Sequence, residues 1–288
     1  MDMAKVAIVT DTNSGIMPPE AQQHGVYVFP MPFTIDDADY LEAVNLSRDQ
    51  FYEKMEAGAD IKTSQPSLET LMKLWEELLQ EYDEIVHIPM SSGLSGSYQS
   101  ARMLAEDYDG KVFVVNNQRI SVTQRQSVLD AKEMADNGAT GQEILEFLEQ
   151  DKFNSSIYIM LNTLQYLKKG GRITPAAAAI GTMLKLKPVL TIQGDKLDAF
   201  SKARTSSQGK NTMINALKND LENRFGNPGP EGARLFVAHT HDEAAALAFK
   251  AEIEAAFPGY DIYMDELPLS ISTHIGPGAL GIACTLNH

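Results

Sequence analysis

The chain has 288 residues, 43% of them hydrophobic, enough for two domains with packed cores. Its 24 basic and 39 acidic residues give a formal net charge of −15. That balance excludes bulk nucleic-acid binding, which needs a cationic footprint. A single cysteine, Cys284, excludes an internal disulfide framework and suits a reducing compartment.

Val6-Ala7-Ile8-Val9 predicts a short buried strand that runs into the polar turn Thr10 to Gly15. No secretory h-region precedes it and no apolar run reaches the ~18 residues of a membrane span, so the cytoplasm is the expected compartment. A second strand is expected over 26–31 and a helix over 49–55. Ser67 is placed to cap a helix over 68–82, which carries Leu68, Leu71, Met72, Trp75, Leu78 and Leu79 at helical spacing. A strand over 85–90, a helix over 97–107 and a strand over 111–115 follow. Helices over about 127–136 and 141–150 close this half. Strands alternating with helices predict a parallel sheet covered on both faces, with ligands beyond the strand C-terminal ends.

The second half changes character near residue 153. Strands are expected over 156–161, 188–193, 196–201, 233–239, about 260–265 and 280–286. Helices are expected over 163–169, 176–186, 208–224 and 242–257. This pattern predicts a mixed sheet with its helices on one side.

The stretch Ser91-Ser92-Gly93-Leu94-Ser95-Gly96-Ser97 carries the most chemistry. It joins a predicted strand to a predicted helix. Backbone N–H groups at a helix start point outward unpaired, and the helix dipole favours negative charge there. Serine hydroxyls add donors that rotate to suit a ligand. A second hydroxyl-rich turn, Lys62-Thr63-Ser64-Gln65-Pro66-Ser67, also precedes a helix, and capping by Ser67 leaves Thr63 and Ser64 for a ligand.

Other motifs read more plainly. Gly276-Pro277-Gly278-Ala279-Leu280-Gly281 fits G-x-G-x-x-G, but no helix and βαβ unit can follow it, so it is a tight turn delivering its neighbour His274. Gly93-Leu94-Ser95-Gly96-Ser97 nearly matches a hydrolase nucleophile elbow, which keeps a Ser95/His274 hydrolase as an alternative. His239 and His241 lack a third ligand cluster, and Asp242 reads as a helix cap, so no metal site is expected there. Lys168, Lys169 and Arg172 form one basic knot, Lys202 and Arg204 another. Arg204 lies past a strand among hydroxyls, where it could serve an anion. Without a P-loop, a Cys-x-x-Cys or a paired acid and base, the residues describe a protein that holds an anionic ligand by hydrogen bonds.

Taken together, four segments resemble the DegV family, which includes the fatty-acid-binding subunits of bacterial fatty acid kinase. They are Lys62 to Ser67, Pro89 to Ala101, Leu167 to Ile173 and Thr273 to Gly281. The resemblance implies an α/β fold of two domains: an α/β/α parallel-sheet domain over 1–153 and a smaller α/β domain with a mixed sheet over 154–288. It implies a long-chain fatty acid between them and no cofactor. The family pattern puts the carboxylate on Thr63 and Ser95, with His274 in the same network, Arg204 at the head group, and Ser64 and Ser92 beside them. It implies a lipid-binding protein that is not itself an enzyme. Such a protein presents the acyl carboxylate to a separate fatty acid kinase catalytic subunit and so serves phospholipid metabolism. The basic knot 168–172 could meet a membrane transiently. Small residues over 176–184, with Ile180 and Met183, could line the acyl tunnel. One segment departs from the family: Asn116 to Gln126 is bulky and polar where small or glycine-rich residues are usual. A different amphipathic or phosphorylated anion is the alternative ligand.

Overall fold

The computed structural model describes residues 4–172, 174 and 186–288. The expected tunnel helix over 176–184 lies outside the described residues. The chain divides into two units, Met1–Lys152 and Phe153–His288.

The first unit is built on four parallel strands in the order β2-β1-β6-β7. These are β1 (Val6–Asp11), β2 (Tyr27–Phe29), β6 (Glu84–Ile88) and β7 (Val112–Val114). Successive side chains on a strand point to opposite faces. Val6, Ile8, Val86 and Ile88 therefore enter one core with helices α1 (Pro18–His24), α5 (Ser121–Asp136) and α6 (Gly141–Asp151). Ala7, Val9, Ile85, Val112 and Val114 enter the other with α3 (Leu68–Leu78) and α4 (Ser97–Ala105). Burial on both faces explains why these strands are largely apolar.

Between β2 and α3 the chain leaves this sheet for an antiparallel one in the order β4-β3-β5. Its strands are β3 (Pro32–Ile35), β4 (Ala38–Leu41) and β5 (Ile61–Thr63), with α2 (Arg48–Glu56) before β5. Asp36 and Asp37 both have positive φ, 48° and 65°, as a two-residue hairpin turn of type I′ requires. Of the strand expected over 26–31, only Tyr27–Phe29 pairs in the parallel sheet, and the next strand, β3, begins at Pro32.

Helix α5 begins at Ser121, six residues before the expected start. Its first turns are buried although they are polar. Several of their side chains find partners inside: Thr123 donates to the Ile120 carbonyl at 2.9 Å, and Arg125 pairs with Glu20. Apolar periodicity cannot reveal a helix start buried in this way.

The second unit holds a six-stranded sheet in the order β10-β9-β8-β13-β11-β12. Its strands are β8 (Ser155–Met160), β9 (Lys187–Ile192), β10 (Asp198–Ala203), β11 (Ala233–His239), β12 (Ile262–Glu266) and β13 (Leu280–Leu286). Only β11 and β12 pair in parallel, so the sheet is mixed. Helices α8 (Ser206–Asn219) and α10 (Glu243–Ala256) share one core with a face of this sheet, through Met213, Leu217, Phe249 and Ile253 against Met160, Val237 and Ile282. The described helices also include α7 (Gln165–Gly170), the single turn α9 (Gly229–Gly232) and α11 (Leu269–Ile275). The expected helix over 208–224 ends in a π-helical turn, Asp220–Arg224, that turns Asp220 inward to accept the Tyr158 hydroxyl at 2.6 Å.

Candidate functional site

The strand order of the first unit creates a crevice. From β1 the chain goes to β2 on one side, and the next strand of this sheet, β6, lies on the other. The carboxyl ends of β1 and β6 form a topological switch point, where open α/β sheets place ligands. This edge is stapled by side chains. The Thr10 hydroxyl donates to the Ile88 carbonyl at 2.8 Å. Asp11 accepts from the Asn13 N–H on Oδ1 and from the Met90 N–H on Oδ2, both at 3.0 Å. Gln124 reaches in from α5 and donates through Nε2 to Thr10 and to the Ile88 carbonyl. Burial raises the Asp11 carboxyl above its ordinary pKa, opposed by these hydrogen bonds.

The serine turn follows β6 directly. Leu94 and Ser95 donate their N–H groups to the Ser91 carbonyl at 3.0 and 3.2 Å. Gly96 is the N-cap of α4 and offers no side chain, so Ser95 takes over, its Oγ accepting the Ser97 N–H at 3.2 Å. The Ser95 and Ser97 hydroxyls lie 2.7 Å apart. When Ser97 donates in that pair, the Ser95 proton is free to turn to a ligand. Ser92 and Ser95 are half-buried.

Thr63 ends β5 opposite Phe33, and the exposed Ser64 donates its N–H to the Pro32 carbonyl at 3.2 Å. The Gln65 amide then bonds the Ser100 hydroxyl on α4 at 3.0 Å. This contact ties the Thr63 turn to α4, the helix that the serine turn leads into. Beneath it lies a small cavity lined by Asp11, Phe29, Leu71, His87, Ser97 and Ser100, with a volume of about 20 Å³, room for one small group. Asp11, Gln65 and His87 had no place in the site read from sequence. His87 hides in an apolar run, and Gln65 looks like one more polar loop residue.

In the second unit, His274 sits in the last turn of α11, directly before the Gly-Pro-Gly turn. A Cβ at Gly170, the end of α7, would collide with the His274 Nδ1. The imidazole is pushed down to about 4, by burial first and the nearby Arg172 charge second, so it is neutral at pH 7. The Gly276-Pro277-Gly278 turn after it is held by Thr240. The Thr240 hydroxyl donates to the Gly276 carbonyl at 2.7 Å and accepts the Ala279 N–H at 2.9 Å. Gly276 has φ 75° and packs on the Tyr166 ring, so no larger residue fits. Arg204 is exposed just past β10, its N–H bonded to Gln208 at 2.9 Å.

The remaining motifs have structural roles. Asp242 caps α10 by accepting the Ala245 N–H at 3.0 Å, and its own N–H donates to His239 Nδ1. Among the described residues no group of three His, Cys, Asp or Glu is arranged to hold a metal. Among them, too, no helix is long and apolar enough to cross a membrane. Lys168, Lys169 and Arg172 are exposed.

Comparison with known proteins agrees with this architecture. A family model described as uncharacterised protein, DegV family, matches residues 5–286. Protein DegV of Bacillus subtilis is 32% identical over 280 residues, covering 96% of this chain and 98% of that protein. The solved structure of a fatty-acid-binding DegV family protein from Thermus thermophilus is 30% identical with a TM-score of 0.89, over 98% of this chain and 100% of that one. The structure of DegV from Bacillus subtilis, described as a fatty acid binding protein, gives 30% identity and a TM-score of 0.85, over 99% and 100%.

Proposed function

Since the chain belongs to the DegV family over nearly its whole length, we propose that it carries a long-chain fatty acid. In this reading Thr63 and Ser95 donate to the carboxylate. His274 joins them as a neutral N–H donor, Arg204 supplies charge, and Ser64 and Ser92 lie alongside. The observation that carries the proposal is the Gln65–Ser100 bond, which brings two hydroxyl turns together at the carboxyl ends of a parallel sheet. A buried carboxylate is costly unless charge-assisted hydrogen bonds satisfy it, and these turns supply such donors. Each buried methylene of the tail adds roughly 0.8 kcal/mol.

The chain does no chemistry itself in this reading. Ser95 shares its hydrogen bond with Ser97, another hydroxyl, whereas a nucleophile needs a base within reach. It presents the carboxylate to a separate kinase, which forms an acyl phosphate with ATP. Lipid extraction and mass spectrometry of the purified protein test the first step: a bound acyl chain is expected. Neither a bound chain nor uptake of an offered one would sink the proposal. Acyl-phosphate formation that requires kinase, ATP and this chain together tests the second.

A phosphorylated or other amphipathic anion is the second reading, because the N-cap of α4, Gly96, has no side chain and a helix start also suits phosphate. Thermal stabilisation by phosphate esters but not by fatty acids would reverse the order.

A further inference from the structure

The cavity beneath Gln65 and Pro66 holds polar groups that neither the carboxylate nor a plain acyl tail would use. It lies between one face of the parallel sheet, at Phe29 and His87, and the first turns of α3 and α4. Asp11 reaches it from the end of β1. His87 is 5% exposed, and its Nδ1 has no hydrogen-bond partner. Phe29 stacks on the ring at 6.4 Å between centroids, and Trp75 meets it edge-on at 5.6 Å. Asp11 is 2% exposed. Its Oδ2 accepts the Met90 N–H, and a carboxylate oxygen can accept a second donor. Ser97, in the same wall, is one hydrogen bond from Ser95.

We propose that this cavity is a subsite for a hydroxyl group carried on the acyl chain near its carboxylate, so that the preferred ligand is a hydroxy fatty acid. The proposal rests on the fatty-acid reading above and adds the ligand's class. A hydroxyl is both donor and acceptor, so it can donate its one proton to Asp11 and accept from His87 in the tautomer that carries the proton on Nδ1. An anion fits badly, because Asp11 stands in the wall and burial pushes His87 down to about 3, leaving it uncharged. A cation fits badly at the positive end of α4. A plain methylene would leave the His87 nitrogen buried without a partner, which costs free energy. The Ser95–Ser97 bond sets the position: a group beside Ser97 is a few bonds from a carboxylate on Ser95, at the second or third carbon.

The test is calorimetric titration of the full chain, stripped of lipid, with hexadecanoic acid and with 2- and 3-hydroxyhexadecanoic acid. One hydroxy acid is expected to bind about tenfold more tightly than the plain acid. His87→Leu is expected to abolish that preference and keep the plain acid's affinity within about twofold. Should His87→Leu fail to fold, ¹⁵N-histidine spectra of the wild type serve instead: the His87 Nδ1 resonance is expected to move with the hydroxy acid and not with the plain one. Equal affinities, or a preference kept by His87→Leu, would overturn the subsite and leave the carrier reading standing. Failure of all the acids to bind would overturn both.

Discussion

Ser95 has two tasks, and they can be separated. It accepts the Ser97 N–H in place of a missing cap on α4, and in the proposed complex it donates to a carboxylate. Ser95→Ala should lose about 1 kcal/mol of folding stability from the cap, and ligand affinity by more than tenfold, about 1.5–3 kcal/mol for a bond to a charged group. Thr63→Ala should weaken the ligand in the same way without the capping loss. Chemical denaturation and calorimetry of both variants check this, and unchanged affinity in both would remove these residues from the head group. His87 makes a second prediction at this scale. Its folded pKa is near 3 through burial, against about 6.5 unfolded. Between those values the unfolded chain takes up a proton that the folded chain refuses. Stability is therefore fullest above pH 6.5 and falls as pH drops, by up to about 1.4 kcal/mol per pH unit. The urea midpoint of the first unit should decline from pH 6.5 to 5, above most carboxylate titration. His87→Phe should flatten that decline.

At the scale of elements, the polar start of α5 departs most from expectation. Asn116 to Gln126 reads in sequence as a bulky, polar departure from the family pattern; Arg119 in it is 1% exposed and pairs with Asp151 at 2.7 Å, at 3% exposure. Arg119 also donates to the Asp151 carbonyl at 2.7 Å and to Ser127 at 3.0 Å, fastening the entry of α5 to the end of α6. Removing one partner of a buried pair leaves the other charge stranded, so Arg119→Met should cost about 3–5 kcal/mol. Restoring a neutral partner with Arg119→Met/Asp151→Leu should recover much of it. Denaturant titration of both variants measures this. Elements written as short apolar runs, such as β1, β6, β11 and β13, were legible in sequence. Those written otherwise were not. Pro18-Pro19 reads as a break, yet it opens α1, where a missing N–H costs nothing. Strands β3 to β5 are three or four residues long and half-exposed, too short for a periodic signal. The hydroxyl turns of the site were legible because small polar residues at strand ends have few other uses. Asp11, His87 and Gln124 were not, because their partners lie far off in sequence: 79 residues for Asp11 and Met90, 114 for Gln124 and Thr10.

For the whole molecule, the proposed clamp draws on both units: Thr63, Ser64, Ser92 and Ser95 belong to the first, His274 and Arg204 to the second. The two units have separate cores, so each can be followed by its own probe. Trp75, the chain's one tryptophan, is fully buried in the first unit, so its fluorescence follows that unit alone. Amide hydrogen exchange in β8, β11 and β13 follows the second. Binding only to the native state stabilises it by RT ln(1 + [L]/Kd), about 2.7 kcal/mol at a hundredfold excess over Kd. Fatty acid at that excess should therefore move the Trp75 transition to higher urea and slow exchange in the second unit's strands by a similar free energy. His274→Ala should reduce both effects, although it lies outside the unit that Trp75 reports. A shift confined to Trp75 would place the head group wholly on the hydroxyl turns of the first unit. It would remove His274 and Arg204 from the clamp, with the family-level reading left standing on Thr63 and Ser95 alone.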